Sequence, residues 1–323
     1  MIKAGFEPVL ASDGAALKVL KEAFSTLKSY ELPGYHITYS KSSWSFKLQL
    51  LFSFFRIRKV VKAEHRLVQE TVEKEGISGI ISDNRFGVYH SKIPSVYITH
   101  QLTVLSGVFT KFTTKIHRQI IEKFNECWIP DVESSVFSGE LSQNTGIKIP
   151  VRYVGVLSRL EAKPSDSKYD VAIVLSGPEP QRTFLEQKIL TEFNDTIGKV
   201  KLVRGILTES QLAHNFQHME VVNYANQREL NAILNSSKAV IARSGYSSVM
   251  DFAVLGKKAL FIPTPGQTEQ EYLAKRMHDL KIAPYVNQRK FKFSDVKKIE
   301  SYKGFEGQKV AFDLKLFSLF HGE

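Results

Sequence analysis

The chain has 323 residues, 43% of them hydrophobic and 24% charged, a globular balance that excludes disorder and low-complexity fibre. At about 100–200 residues per domain, the length argues for two domains. A single cysteine, Cys127, excludes a disulfide framework and a cysteine-cluster zinc site and suits a reducing compartment. The net charge of +11 suits a partner that carries phosphate, whether nucleotide, nucleic acid or anionic lipid.

Met1–Leu10 holds charges and Pro8 where a secretory signal needs an apolar core, so a cytoplasmic location is expected. Glu7–Ala11 reads as a strand, followed by a helix over Ala15–Phe24 that Ser12 or Asp13 can cap. Tyr30–Tyr39 is a second extended piece. The segment Lys41–Lys62 carries six cations and no acid, interleaved with Trp44, Phe46, Phe52, Phe54 and Phe55. It reads as a helix meeting either a core or a lipid surface, with cations placed for anionic headgroups. A polar helix ending at Gly76, strands at Gly79–Ser82 and Ser95–Thr99, a helix near Phe112–Phe124 and the strand Glu126–Ile129 complete the first half.

Around Val154–Lys168 the composition shifts, and Pro164–Ser167 is suited to an interdomain linker. The expected division is therefore 1–157 and 158–323. Beyond the linker, strands fit Asp170–Leu175, Val200–Gly205, Met219–Tyr224, Ala239–Ala242 and Ala259–Pro263. Helices fit Thr183–Phe193, Gln227–Asn235, Ser247–Leu255 and Glu269–Leu280. Short β-branched runs alternating with helical stretches predict α/β architecture with parallel sheets in both halves. Val310–Phe320 looks like a short amphipathic helix whose destination the sequence leaves open.

Three segments carry chemistry, all at strand ends of the second half. In IARSGYSSVMDFAVLG a strand ends at Ala242, Ser244 and Gly245 turn the chain, and a helix starts near Ser247. A helix N terminus presents unpaired N–H groups and partial positive charge, which suits a diphosphate. Asp251 lies four residues beyond Ser247, on the same helix face, where a carboxylate can accept from ribose hydroxyls. The second segment, LSGPEPQ, puts Ser176 and Gly177 after a buried strand, where ligands of doubly wound folds collect. It is neither a GxGxxG fingerprint nor a P-loop, so oxidoreductase and P-loop readings fall. The third, IPTPGQTEQEYL, clusters Gln267, Glu269, Gln270 and Glu271 at a helix start, where amides and carboxylates can read sugar hydroxyls. Each segment alone reads more readily as an ordinary capped helix or loop. Their convergence on one sheet edge makes the argument.

Residues about 170–285, through RSG with its acidic helix, ALFIP and the Gln-rich turn, resemble the C-terminal donor-binding domain of family 28 glycosyltransferases. The resemblance implies a GT-B fold, two Rossmann-like domains facing a cleft. It also implies that Ser244 and Gly245 hold the diphosphate, Asp251 the ribose, Gln270 with Glu271 the donor sugar, and the backbone near Asn223–Ala225 the base. Asp251 stands where a glutamate is usual, and Glu271 where a second glutamine is usual. More faintly, Ser82–Leu102 is similar to the family's acceptor-side strand–loop–strand, with His100 and Gln101 at a polar strand end and Asp83 facing the cleft. The family places a Gly-rich loop with a histidine after its first strand. Ile2–Gly14 reads instead as the end of a first helix and a second strand, so the N-terminal domain is expected to lack that strand and loop.

His100 is the candidate base for an acceptor hydroxyl, since a near-neutral imidazole suits proton removal; Asp83 is its alternative. No HxH, HExxH or DxD-like pair suggests a metal, and no cofactor is expected. Leaving-group charge falls to the helix N terminus after Gly245 and to Arg243, which serves equally well as a structural residue. The reading is a metal-independent, inverting transferase. It takes a hexosyl group from a nucleotide-diphosphate sugar, UDP-linked by expectation, to an acceptor that Lys41–Lys62 suggests is lipid-linked. That acceptor would sit at the inner face of a membrane; nucleic acid is not an expected partner. Two other readings stay open: a nucleotide-sugar epimerase or hydrolase of the same fold, and a non-catalytic nucleotide-sugar binder.

Overall fold

The computed structural model describes residues 1–35, 46–134, 136–143, 146–194, 198–207, 214–216, 219–308 and 313–321. Within them the first half runs β1 (Leu10–Ser12), α1 (Gly14–Ala23), β2 (Ser29–Glu31), α2 (Phe46–Glu75), β3 (Ile80–Asp83), β4 (Ser95–Ile98), α3 (Thr110–Ile121), β5 (Glu126–Ile129) and β6 (Val151–Tyr153). β1 and β2 form a small parallel pair of their own. β3-β4-β5-β6 form a parallel sheet in chain order, with Asp83 level with Ile98 and Ile98 level with Trp128. All four residues of β5 are buried, as expected of a strand covered on both faces.

The basic helix and the polar helix expected after it are one continuous helix of 30 residues, because no Gly or Pro interrupts Phe46–Glu75. Lys41 and Trp44 lie outside the described residues. Among the described residues no helix is long and apolar enough to cross a membrane. On α2, the fully buried Glu64 accepts from Arg85 Nε (2.5 Å), Tyr35 Oη (2.7 Å) and the Gly87 amide (2.8 Å). Arg85 also donates to Asp13 and to the Pro33 carbonyl. This buried charge is therefore paired and hydrogen-bonded, the condition under which burial is tolerated. It fixes the loop that leaves β3 carrying Asp83.

The second half runs β7 (Tyr169–Val174), α4 (Gln181–Glu192), β8 (Val200–Val203), β9 (His214–Phe216), β10 (Met219–Val222), α5 (Gln227–Asn235), β11 (Ser237–Ala242), α6 (Tyr246–Leu255), β12 (Lys258–Phe261) and α7 (Thr268–Asp279). The strands form one sheet in the order β12-β11-β7-β8-β10-β9, parallel except for the β9 edge. α5 begins at a capping box, with Asn226 and Glu229 each accepting from the other's backbone amide. α7 carries Glu269 and Glu271 in its first turn and Arg276 and His278 in its last, matching its dipole. The strand order reverses beside β7, so β7 and β11 end at the crevice where ligands of open α/β sheets collect.

Sequence periodicity missed β6 and β9, each three residues long and too short to show a period. The destination of the last segment is now visible. Leu314–Phe320 is a 3-10 turn that returns to the first half, with Phe317 5.2 Å from Phe6 and 6.2 Å from Trp128, ring to ring. Gly79 makes this possible, because any Cβ there would run into the Phe320 ring.

Candidate active site

β11 delivers Arg243, Ser244 and Gly245 to the crevice. Arg243 is 1% exposed, and its guanidinium donates to the carbonyls of Ile262 (3.0 Å), Pro263 (3.3 Å) and Gln181 (2.9 Å). Burial lowers its pKa to about 10, still above neutrality. These bonds tie the loops after β7, β11 and β12 to one another. Ser244 is fully buried and donates to the Gln270 carbonyl at 2.7 Å, joining the turn to α7.

Gly245 is the N-cap of α6 and makes no side-chain cap. Its φ of −68° suits any residue, and a Cβ built on it meets nothing within 4 Å. Conformation therefore does not demand this glycine; the open space in front of it gives a reason for its bareness. Ser247 is exposed and Ser248 half-buried on the first turn, beside the helix's unpaired amides. Across the crevice, Ser176 is exposed and Gly177 sits at φ +102°, a backbone only glycine adopts readily. A Cβ on Gly177 would lie 3.6 Å from Thr264 Oγ1, which places the β7 and β12 loops side by side.

The Gln-rich turn is held from within. Gln270 Oε1 accepts from the Thr264 amide (2.9 Å), its Nε2 donates to Gln267 (2.5 Å), and Glu271 accepts from the Gly266 amide (3.0 Å). Asp251, one turn into α6, accepts from Ser158 Oγ at 2.5 Å. Burial raises the Asp251 pKa, while the Ser158 bond and Arg159 lower it. Arg159 borders a hollow of about 460 Å³ that reaches Tyr224 and Asn226 at the end of β10 and Glu22 on α1.

The first half supplies the opposite wall. His100, just past β4, places Nε2 2.8 Å from Glu269 Oε1 on α7, and its ring lies flat on Tyr246 at 4.0 Å and 4°. Tyr246 Oη donates to the Pro130 carbonyl at 2.8 Å. Asp83 opens to solvent at the end of β3, yet the protein around it raises its pKa; the charge of His100 pulls the other way. Beneath them His117, bonded to Tyr97 Oη, is pushed down to about 4 by burial, so it is neutral at pH 7.

The two halves also dock through backbone groups. Thr268 Oγ1 donates to Leu105 O (2.6 Å), Tyr272 Oη accepts from the Glu140 amide (2.8 Å), and Arg276 Nε donates to Val136 O (2.9 Å). Phe137 and Leu141 join the second half's apolar core. The segment carrying them is shaped by buried Asp131, which accepts from the Ser138 amide and hydroxyl. Gly139, at φ +55°, lies so close to the ends of the Tyr272 and Arg276 side chains that a Cβ would have to push them aside.

Residues 184–301, which carry β8 to α7 with their strand-end turns, match the glycosyltransferase family 28 C-terminal domain. Along that stretch the second half is similar to a family 28 C-terminal domain. An uncharacterized glycosyltransferase of Methanosarcina acetivorans is 25% identical over 171 residues, 51% of this chain. The match spans 45% of that relative, so the chain covers less than half of its length. CalG4, the calicheamicin glycosyltransferase, superposes with a TM-score of 0.62 at 13% identity, over 94% of this chain and 84% of its own. MurG of Acinetobacter baumannii gives 0.52 at 12% identity, over 91% and 92%. At such identities the likeness is one of fold, the GT-B arrangement of two Rossmann-like sheets.

The structure gathers some of the residues singled out from sequence. Ser244, Gly245 and Ser247 lie at the N terminus of α6, Gln270 is bonded to Ser244, Gly177 lies beside Thr264, and His100 from the other half stacks on Tyr246 at that helix end. Asp251 stands apart at the linker, engaged by Ser158. Sequence reasoning passed over Tyr246, Ser158 and the 130–142 segment. A large aromatic inside RSGYSS was the one signal available for Tyr246; nothing local marks the other two.

Proposed function

We propose that this chain is a GT-B glycosyltransferase that moves a hexosyl group from a nucleotide-diphosphate sugar, UDP-linked, to an acceptor hydroxyl. The observation that carries the proposal is the bare N terminus of α6. At Gly245 it opens on unfilled space, beside the strand-end loops of a half similar to a family 28 C-terminal domain. A diphosphate there would meet the α6 amides and the Ser247 and Ser248 hydroxyls, a preorganised positive site for the charge that develops on the leaving group. No metal ion is needed for that role. Gln270 and Glu271 would read the sugar, Asp251 with Ser158 the ribose, and the hollow beside Tyr224 the base.

His100 would take the acceptor proton and Asp83 would help hold the resulting imidazolium, giving direct displacement with inversion. An acceptor at an anionic membrane surface is supported by Val108, 93% exposed, and Phe112, 58% exposed, next to Lys111 and Lys115. Apolar tips rimmed by cations suit insertion between acidic headgroups.

Calorimetric titration of UDP and GDP into the purified chain tests the donor half, with Asp251→Ala as the control. Saturable UDP binding, weakened at least tenfold in the control, is the expected result; a folded protein that binds neither nucleotide ends the transferase reading. The cleft's acid–base groups also suit an epimerase or hydrolase. Product analysis with UDP-sugar and no acceptor separates these, because a transferase leaves the sugar unchanged on that timescale.

A further inference from the structure

The proton-accepting group and its supports come from different halves of the molecule. His100 belongs to the first half, yet the carboxylate on its edge (Glu269) and the ring on its face (Tyr246) belong to the second. We propose that Glu269 is a positioning residue: with Tyr246 it orients and polarises His100, so that the base is assembled only when the two halves dock. This inference rests on the transferase reading above.

The physical case is geometric. Glu269 Oε1 lies 2.8 Å from Nε2, so the carboxylate accepts from Nε2–H and fixes the tautomer whose Nδ1 lone pair can receive a proton. Tyr246 holds the ring plane by parallel stacking at 4.0 Å, and its own hydroxyl is anchored to Pro130 O at 2.8 Å. Only a fifth of the His100 side chain and a third of the Glu269 side chain are exposed, so solvent weakens the pair less than it would at an open surface. Thr268, the residue before Glu269, is itself fastened to the first half at Leu105 O, which sets the register of the approach. In the step this supports, the acceptor oxygen bonds to the anomeric carbon as its proton passes to Nδ1. The bond from that carbon to the diphosphate breaks, and the diphosphate departs with the electron pair. Glu269 stabilises the imidazolium and does not take the proton, as in other histidine–carboxylate pairs.

The sequence assigns Glu269 no such part: it sits in the turn that resembles the sugar-reading segment, where Gln270 and Glu271 face inward to Thr264 and Gly266. The turn thus points one carboxylate toward the other half, while Gln270 and Glu271 are braced by amides of their own turn.

Glu269→Gln keeps the shape and removes the charge. The charged or titratable groups that act on His100 besides Glu269 are Asp83 and His117, with the Tyr246 phenol on its face. Loss of the carboxylate makes the imidazole a weaker base, so kcat should fall about 10- to 100-fold and the acidic limb of its pH profile should move to lower pH. The donor KM and the calorimetric UDP affinity should stay within about twofold. Nitrogen-15 NMR of the histidine side chains, assigned with His100→Gln, should show His100 as the Nε2–H tautomer at neutral pH and a mixed tautomer in Glu269→Gln. A raised donor KM with kcat and the pH limb intact would overturn the proposal and make Glu269 a sugar contact. An unchanged tautomer in Glu269→Gln would overturn it too. A wild-type protein that binds no nucleotide sugar sinks the transferase reading instead, while the tautomer shift still decides whether Glu269 governs His100.

Discussion

The two halves spend their strand-end polar groups differently. In the second half, Ser244, Gln270 and Glu271 bond to loops of the same half and Arg243 donates to three of its carbonyls, so the turns around the α6 N terminus hold their shape unaided. In the first half, His100, Leu105 O, Pro130 O and Val136 O find partners across the cleft. One side of the site is preorganised; the other is completed by docking. A preorganised donor side keeps its binding affinity when docking is weakened, whereas the base should lose its geometry.

The largest effect expected is on the second half's internal frame. Gly205 sits at φ +70°, and a Cβ there would run into the backbone carbonyl of Leu175, which cannot step aside. Gly205→Ala should cost about 4 kcal/mol in chemical denaturation, through strain and the shifted β7 end together. Next comes a pH effect confined to the first half. His117 is held near pKa 4 against an ordinary value of 6.5, so the unfolded chain binds the extra proton first. Stability is therefore intact above about pH 6.5 and lost as pH falls toward 4, by up to about 3 kcal/mol. His117→Gln should flatten that slope in urea titrations run from pH 7 to pH 4.

Docking itself is tested at Gly139. A Cβ there displaces the ends of Tyr272 and Arg276, losing the bonds to Glu140 N and Val136 O on top of the cost of φ +55°. About 2–3 kcal/mol should go, and a single unfolding transition should split into two. UDP affinity in this variant should persist if the donor side is preorganised, and its disappearance would refute the contrast between the halves. The smallest structural effect is expected at Gly245→Ala, where φ and space both accept a methyl group. Stability should change by less than about 0.5 kcal/mol, while nucleotide affinity drops at least tenfold because the methyl stands where the diphosphate approaches.

Much of the second half was legible in sequence because its signals are local. β7 and β11 read as apolar runs bounded by turns, and RSG followed by serines marks a strand-to-helix turn. The first half was harder. Nothing in periodicity announced a three-residue β6, or told that α2 would run unbroken through a change from apolar-basic to polar composition. Arg243 illustrates the limit within the legible half. Its position was plain, but whether its charge faced a ligand or three carbonyls depended on loops 19 to 62 residues away.

The sequence by itself determined the alternation of strands and helices, the strand-end position of Ser176, Gly177 and Ser244–Ser248, and the family resemblance those turns carry. Tertiary structure alone decided the meeting of His100 with Glu269, 169 residues apart, of Tyr246 with Pro130, 116 apart, and of Phe320 with Gly79. Propensity, capping and periodicity act over a turn or two of chain, so they leave their mark on neighbouring residues. Contacts between halves are set by which surfaces bury one another once each sheet has formed, and no local pattern encodes that choice.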